Sequence, residues 1–357
     1  MGTPVARRDI PAKVQGEAKF GLDTFGDIPK KDNGELFSYA EAIRQVIDEA
    51  IIADKNGVDI FGVGEHHRPD YSISSPETVL AGIATRTKNI TLASAVTVLS
   101  SDDPVRVFER FSTVDALSNG RAQVILGRGS FTESFPLFGY DLKDYQILFD
   151  EKIDLFAELV KEKPVTWHGS LRPALKNADV FPKTENGLKV AVGVGGSPES
   201  VIRTARYGFQ LVLAVIGGAP SRFAPYVELY KQAVAELGGE ELPVGMHSPG
   251  LIADTDEEAK KLAWPGFKFM WDEVGKTRGW PPYTWEQFNY EVEHGSLYVG
   301  SPETVAQKIA KAMKDVGVQR FDMVYGGGHI PATARTKTVE LYAKQVIPRV
   351  RELLQDS

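Results

Sequence analysis

A charged tetrapeptide with two adjacent histidines, Glu65-His66-His67-Arg68, directly follows the apolar run Ile60–Val63. Histidine titrates near neutral pH, so it can donate, accept or shuttle a proton. If the apolar run is a strand of a parallel barrel, the tetrapeptide lies at the carboxyl end of that strand, where such barrels build their active sites. The sequence therefore predicts acid–base chemistry at this point of the chain.

The same histidine pair is poorly arranged for a metal ion. Adjacent residues of an extended chain point to opposite sides, so His66 and His67 do not readily bind one ion. Asp23 and His247 could contribute to a metal-dependent hydrolase, but no convincing ligand set accompanies them. We therefore predict no metal, with one histidine of the pair facing the site and the other in a structural role. The remaining histidines form no H-x3-H pattern: His168, His247, His294 and His329.

A glycine–serine segment at 195–200, GGSPES, follows the apolar run Leu188–Val192. Its glycines allow the backbone to approach a ligand closely, and its serine and proline are typical of a helix N-cap and first helical position. Such a helix start can bind an anion through free N–H groups and the helix dipole. The Ser-Pro-Glu pattern recurs at 75–78 and 301–304, where it is first of all a helix-start signal. The two glycines make 195–200 the best predicted phosphate site, with 301–304 second.

An arginine between two glycines, Gly127-Arg128-Gly129, follows the apolar run Ala122–Leu126. A planar guanidinium in this position can bind a phosphate or a ring carbonyl. A surface ion pair is the alternative role for this arginine. The sequence contains no Walker phosphate loop, and the glycines at 193–196 do not form a dinucleotide-binding fingerprint.

Alternating strands and helices position these three segments. Apolar spacing predicts helices over Tyr39–Asn56, from about Pro76 to Arg86, from Pro104, and over Tyr145–Val160. Near-continuous apolar runs separated by helices indicate a parallel sheet covered on both faces. Eight such runs predict an α/β protein with a closed (β/α)8 TIM barrel. The predicted strands are Phe20–Phe25, Ile60–Val63, Thr91–Val98, Ala122–Leu126, Leu188–Val192, Gln210–Ala214, Pro243–His247 and Phe321–Val324.

Two segments interrupt this alternation and are predicted as insertions, at about 161–187 and 264–297. The second carries four of the five tryptophans. Aromatic loops on a barrel can shape the substrate mouth, or they can cover a dimer face or pack over the barrel edge. Residues 1–16 are polar and lack an apolar core, so we predict a flexible arm there and a single barrel domain over 17–357.

The composition excludes several kinds of chemistry. The 357 residues include no cysteine, which excludes disulfides, thiolate metal sites and thiol nucleophiles. A net charge of −7 argues against nucleic-acid binding, which needs a basic face. The longest apolar run, around 211–218, is too short to span a bilayer. We expect a cytoplasmic protein with neither a nucleic-acid nor a membrane partner.

These features together resemble the bacterial-luciferase-like family of flavin monooxygenases, over residues 20 to about 324. The most specific stretch is Ile90–Gly129, where a small-residue strand precedes a D-P-V-R helix start, an L-S-x-G-R turn and a strand ending in R-G. The E-H-H at 65–67 and the G-S-P-E-S at 196–200 fall in the family's order.

The resemblance implies roles for individual residues. His66 matches the catalytic histidine beside the flavin, with Glu65 close by. The strand end Ala95, Val96 and Thr97 matches the segment beneath the isoalloxazine ring. A non-proline cis peptide is common there in relatives, and the Ala95–Val96 bond is its expected place.

The remaining implied residues contact the flavin from other strands. Arg128 and Ser130 match phosphate or ring contacts, and Ala214 matches a ring contact after the sixth strand. The phosphate cradle is the glycine–serine segment, with Gly195, Gly196, Ser197 and Ser200 as its predicted members. Gly127 stands where true luciferases carry a reactive cysteine, so thiol-dependent behaviour and light emission are not implied.

The implied reaction uses reduced FMN, supplied by a separate flavin reductase, and O2 to oxygenate a small organic substrate. Relatives suggest a homodimer. Two alternatives remain open: the same fold used with the deazaflavin F420 for hydride transfer, and a non-catalytic flavin-binding protein.

Overall fold

Eight parallel strands close into a barrel in the computed structural model, which describes residues 18–355. The first strand, β1 (Lys19–Thr24), pairs with β2 (Ile60–Val63) on one side and with the last strand, β12 (Arg320–Tyr325), on the other, and the pairing of first with last closes the circle. The predicted (β/α)8 barrel is therefore confirmed, while the arm at 1–16 lies outside the described residues. In spatial order the barrel strands are β1 (Lys19–Thr24), β2 (Ile60–Val63), β3 (Thr91–Ser94), β5 (Ala122–Gly127), β8 (Lys189–Val194), β9 (Gln210–Ala214), β10 (Gly245–Ile252) and β12 (Arg320–Tyr325).

Helices surround the barrel, and the sequence explains where they begin. Ser38 and Glu41 form a capping box at the start of the first helix, and the Asp103 side chain accepts from the Val105 N–H, 2.9 Å away, at the start of the helix that begins at Pro104. The helices are α1 (Tyr39–Lys55), α2 (Pro76–Ala84), α3 (Pro104–Ser118), α4 (Ser134–Leu137), α5 (Tyr145–Leu159), α6 (Pro198–Arg206), α7 (Ala224–Leu237), α8 (Asp256–Arg278), α9 (Trp285–His294), α10 (Pro302–Val316), α11 (Ala332–Leu341) and α12 (Ile347–Gln355).

The barrel interior has an apolar layer above a charged one. In the charged layer, the Arg320 guanidinium binds Asp322 and also donates to Gln123 over 2.7 Å. Gln123 in turn donates to Gln210 over 2.7 Å. This network ties three strands, β5, β9 and β12, together at the amino-terminal end. The barrel is thus packed from below, and its open end is the carboxyl-terminal mouth. The apolar layer consists of Ile60, Ala93, Ile125, Ala191 and Val212, with Val96 packed against it.

The predicted strand Thr91–Val98 is interrupted. It forms β3 and a separate short strand, β4 (Thr97–Val98), with a one-residue shift in the pairing to β5 between them. The Ser94 hydroxyl lies between the strands: it accepts from the Ile125 N–H at 3.0 Å and donates to the Ile125 carbonyl at 3.1 Å. A β-bulge of this kind re-aims the neighbouring side chains.

The two interrupting segments contain regular structure. The first holds an antiparallel pair, β6 (Val165–Trp167) and β7 (Leu175–Ala178). The second is helical: it begins inside α8 and includes α9, where aromatic loops were expected. The α8–α9 aromatics mostly pack on one another, as in the stacked pair of Trp271 and Tyr283 with centroids 4.6 Å apart. They therefore build a small core beside the barrel edge.

A short strand, β11 (Tyr298–Gly300), pairs with β10 and was missed because it is only three residues long. Strand β10 itself begins two residues later than predicted and extends to Ile252. No helix among the described residues is long and apolar enough to cross a membrane.

Candidate active site at the barrel mouth

The two histidines after β2 have different surroundings. His67 Nε2 lies 2.8 Å from Glu65 Oε1, and Glu65 Oε2 accepts from the Val98 N–H at 2.8 Å. Burial raises the pKa of Glu65, although both contacts act in the opposite direction. His67 and Glu65 therefore form a buried pair that joins the loop after β2 to β4, which fits the structural role predicted for one histidine.

His66 lies among aromatic rings. Tyr71 stacks on the imidazole with centroids 4.4 Å apart, and Phe25 and Phe131 approach it edge-on at 4.9 and 5.2 Å. The ring makes no hydrogen bond with any residue from 18 to 355. Burial, with smaller contributions from His67 and Arg68, lowers the pKa of His66 to about 3. The imidazole is therefore neutral at physiological pH, with one nitrogen as donor and the other as acceptor.

The bulge between β3 and β4 contains the Ala95–Val96 cis peptide bond, at the predicted position. The Val96 side chain extends across the mouth towards Gly127 and Gly193. A Cβ at Gly127 would overlap Val96 Cγ2, and one at Gly193 would lie 3.0 Å from Val96 Cγ1. Thr97 is buried, and its hydroxyl has no hydrogen-bond partner in the described chain.

An anion-binding corner forms where the loop after β5 meets the start of α6. Arg128 donates to the Ser200 hydroxyl at 2.5 Å and to Gln146 at 2.7 Å. Gly196 has a φ of +119°, which side-chain-bearing residues rarely adopt. Ser197 caps the helix by accepting from the Ser200 N–H, 3.3 Å away. An arginine, hydroxyls and the positive end of a helix dipole are groups that favour a bound phosphate.

The second candidate phosphate site is already filled by a carboxylate. At the start of α10, Asp256 accepts from the Ser301 N–H at 2.6 Å and from the Thr304 hydroxyl at 3.0 Å. This leaves 195–200 as the helix start able to accept an external anion.

The remaining predicted residues lie around the same mouth. Gly195 faces open space, and Ala214 is half-buried beside His247 in the register of β9 and β10. Ser130 is exposed, and its carbonyl, rather than its hydroxyl, accepts from Arg278 of α8 at 3.1 Å. The assignment of these residues to a cofactor remains a prediction.

Contacts between neighbouring loops bring the predicted segments to one mouth. A Cβ at Gly64 would lie 3.1 Å from the Ala95 carbonyl, which places the loop after β2 against the bulge. Val96 reaches Gly127, and Arg128 beside it reaches Ser200. A continuous series of contacts therefore connects the histidine loop, the bulge and the anion-binding corner.

Sequence reasoning missed several residues at this mouth. Phe25, Phe131 and Tyr71 surround His66, and only the proximity of Phe25 to a strand end could have suggested one of them. Asp23 and His247 were considered only as metal ligands, but they form a pair: Asp23 Oδ2 lies 2.8 Å from His247 Nδ1. No group of three or more side chains able to hold a metal occurs within residues 18–355.

This fold, with acid–base residues and an anion-binding corner at one barrel mouth, defines an α/β-barrel enzyme. The family model described as luciferase-like monooxygenase matches residues 24–320. The chain therefore belongs to the luciferase-like monooxygenase family.

Curated relatives are distant. An uncharacterized protein of Sinorhizobium fredii, y4vJ, is 32% identical over 183 residues, which span 50% of this chain and only 51% of that protein. Limonene 1,2-monooxygenase of Rhodococcus erythropolis is 25% identical over 86% of this chain and 81% of its own length.

Solved structures share the fold. The oxygenating constituent of 3,6-diketocamphane monooxygenase from Pseudomonas putida, in complex with FMN, has a TM-score of 0.73 at 21% identity and covers 94% of this chain and 99% of that one. An F420-dependent secondary alcohol dehydrogenase with an F420–acetone adduct also reaches 0.73, at 18% identity over 94% and 99% of the two chains. At these identities the likeness concerns the fold alone.

Proposed function

We propose that this protein is an FMN-dependent monooxygenase that uses reduced FMN and O2 to insert one oxygen atom into a small organic substrate. The observation that carries the proposal is the anion-binding corner of Arg128 and Ser200, which lies across the bulge from the neutral His66. Reduced FMN supplies the two electrons, so that substrate, O2 and reduced FMN give oxygenated substrate, water and oxidised FMN.

The residues present fit an FMN phosphate. Arg128 would give a charged hydrogen bond to it, and the Ser197 hydroxyl and the backbone N–H groups of the turn at 195–197 would complete the cradle at the positive end of the α6 dipole. The Ser197 hydroxyl now donates to Glu199 over 2.8 Å, and it can rotate towards a bound phosphate. Gly195 and Gly196 leave room for that group because no Cβ occupies the space above the helix start.

The bulge fits one face of a flavin ring. Ala95 and Val96 present a small apolar platform, and Ala214 would border the ring from β9. The unpartnered Thr97 hydroxyl is a polar group that a ring carbonyl or N–H could satisfy.

His66 would act on the substrate side of the ring. Because the imidazole is neutral, it can donate a hydrogen bond from one nitrogen and accept a proton at the other. Tyr71, Phe25 and Phe131 pack around the ring and fix its orientation, while part of the residue stays accessible from the mouth. Glu65 would hold the loop in place through His67.

Hydride transfer with F420 is the second candidate, because the F420-dependent dehydrogenase has the same TM-score as the FMN enzyme. A separate flavin reductase, a homodimer and a cytoplasmic location remain predictions from the sequence.

The test begins with binding of FMN and F420 to the purified protein. Reduced FMN is then reacted with protein and ¹⁸O2 in the presence of limonene, a camphor-type diketone or decanal, and products are analysed by mass spectrometry. One ¹⁸O atom per product molecule is expected. Selective F420 binding with oxygen-independent hydride transfer would support the second candidate, and tight FMN retention without substrate-stimulated consumption would indicate a non-catalytic flavoprotein.

The role of His66 is tested with His66→Gln. We expect kcat to fall about 100-fold, the usual scale of acid–base catalysis, while the Kd for FMN stays within about threefold. His294→Gln is the matched control, because His294 is exposed on α9. Unchanged kcat in His66→Gln would remove His66 from the mechanism.

A further inference from the structure

A second acidic group lies inside the barrel near the mouth. Asp23 points inward from β1 and is only 1% exposed. Its Oδ2 binds His247 Nδ1, and its Oδ1 has no hydrogen-bond partner among residues 18–355. A Cβ at Gly62 of the adjacent strand would overlap Asp23 Oδ1, so the glycine creates the space that the carboxylate fills. A buried carboxylate on an imidazole nitrogen fixes the tautomer and orientation of the ring.

The opposite edge of the His247 ring is open. The His247 side chain is 12% exposed, whereas its partner carboxylate is almost fully buried. Because Nδ1 is held by Asp23, the exposed part of the ring is the edge that carries Nε2, and Nε2 has no partner in the described part of the chain. Phe25 lies between the two histidines of the mouth, with its ring 5.9 Å from His247 and 4.9 Å from His66.

Three charged residues of neighbouring strands lie around His247. Asp322 is the neighbour of His247 in the pairing of β10 with β12, and Asp23 faces it from β1. The one cation in this group, Arg320, is bound to Asp322 and Gln123. Arg320 therefore engages Asp322, which leaves Asp23 as the carboxylate that holds the His247 ring.

We infer that His247 is a second catalytic acid–base group of this mouth, with Asp23 as its positioning residue. The inference rests on the proposed function. His247 donates a proton from Nε2 to the oxygen atom that leaves as water, and it is reprotonated by a proton that reduced FMN releases on oxidation. Asp23 keeps Nδ1 protonated throughout, as the carboxylate does in carboxylate–histidine pairs of hydrolases.

The test uses His247→Gln and Asp23→Asn in the full-length protein, with His294→Gln as control. For whichever probe the wild type oxygenates, kcat is expected to fall about 100-fold in His247→Gln and at least 10-fold in Asp23→Asn, with KM and the Kd for FMN within about threefold. Values of kcat within threefold of wild type in both variants would overturn the inference. A loss of FMN binding that parallels the loss of kcat would also overturn it, because a purely structural role of the pair would affect both kcat and the Kd for FMN.

A second measurement does not depend on any substrate. NMR of ¹⁵N-histidine-labelled protein, with the His247 signals identified by their absence in His247→Gln, reports which ring nitrogen is protonated. We expect a protonated Nδ1 in wild type and a changed tautomer balance in Asp23→Asn. A neutral imidazole protonated only at Nε2, or no change in Asp23→Asn, contradicts the inference. If wild type oxygenates no probe, the proposed function has failed, and the NMR result still decides the state of the pair.

Discussion

The Arg128 guanidinium lies 2.5 Å from the Ser200 hydroxyl, so a residue that follows β5 is held against the first turn of α6. This contact places a full positive charge beside the positive end of the α6 dipole, at one corner of the mouth. An isolated guanidinium or helix start would bind phosphate weakly, but the two act on the same anion.

Replacing this arginine should weaken binding of the phosphate specifically. We expect Arg128→Ala to raise the Kd for FMN about 10- to 100-fold, since charge-assisted hydrogen bonds contribute about 1.5–3 kcal/mol. Riboflavin has the same ring without the phosphate, so its Kd should change less than twofold. Fluorescence titration with both ligands measures the difference. Arg206→Ala, at the exposed end of the same helix, is the control, and an equal loss for both ligands would place Arg128 at the ring instead.

The Glu199 carboxylate should weaken binding of the FMN phosphate through charge repulsion. It lies in the first turn of α6, accepts from Ser197, and has its pKa lowered by hydrogen bonds from its own backbone N–H and from Ser197, so it is ionised near neutral pH. Glu199→Gln is therefore expected to tighten FMN binding about two- to fivefold at low salt, with the gain shrinking at high ionic strength. Glu228→Gln on α7 serves as the control. A weaker affinity in Glu199→Gln would mean that the carboxylate orients Ser197 productively.

The fold could be predicted from the sequence because the strand and helix patterns both indicated an alternating α/β protein over most of the chain. Apolar runs such as Ile60–Val63 and Gln210–Ala214 coincide with β2 and β9, since buried parallel strands need continuous apolar residues. The three-residue β11 and the hairpin of β6 and β7 were missed because they are too short to show a period. The helical character of 264–297 was hidden by Pro265, which lies inside α8.

Only part of the site could be predicted from the sequence, for a geometric reason. Residues at strand ends, such as His66 and Arg128, could be placed because the barrel brings strand ends together. The Asp23–His247 pair depends instead on barrel closure, which brings the first strand, β1, near the seventh, β10, with β12 between them, and no local pattern records this. The aromatic surroundings of His66 likewise come from loops distant in sequence, so the low pKa of His66 could not be foreseen.

Gly127 and Val96 should be coupled energetically. A Cβ at Gly127 would overlap Val96 Cγ2, and the stiff, branched valine in the bulge has little freedom to move away. We expect Gly127→Ala to lower the free energy of unfolding by about 1–3 kcal/mol, the usual cost of overpacking, as measured by urea denaturation. Gly217→Ala is the matched control because its Cβ would meet nothing within 4 Å.

The double variant identifies the contact responsible. Val96→Ala removes the methyl groups that the new Cβ would meet, so Gly127→Ala should cost less in that background than in wild type. Additive effects in the double variant would show that the two residues do not meet in solution.

Asp27 should make stability depend on pH. The Asp27 side chain is buried at the start of the loop after β1. Its Oδ1 accepts from the Gly328 N–H at 2.8 Å, and its Oδ2 has no partner in the described chain. Burial raises the pKa of Asp27 from 3.8 to about 7, although Gly328 and Arg335 act against the shift. Between these two pH values the folded protein therefore holds a proton that the unfolded chain has released.

The sign follows from this difference in bound protons. As pH rises from about 4 to about 7, the contribution of Asp27 to the free energy of unfolding should decrease, by at most about 1.4 kcal/mol per pH unit, and then stay constant. Asp27→Asn keeps an acceptor for Gly328 and carries no charge. Its free energy of unfolding, relative to that of wild type, should therefore increase across the same pH range. Urea denaturation from pH 4.5 to 8 measures that difference, with Asp254→Asn as an exposed control. A difference that stays flat between pH 5 and 7 would show that the Asp27 carboxyl is ionised in the folded protein throughout.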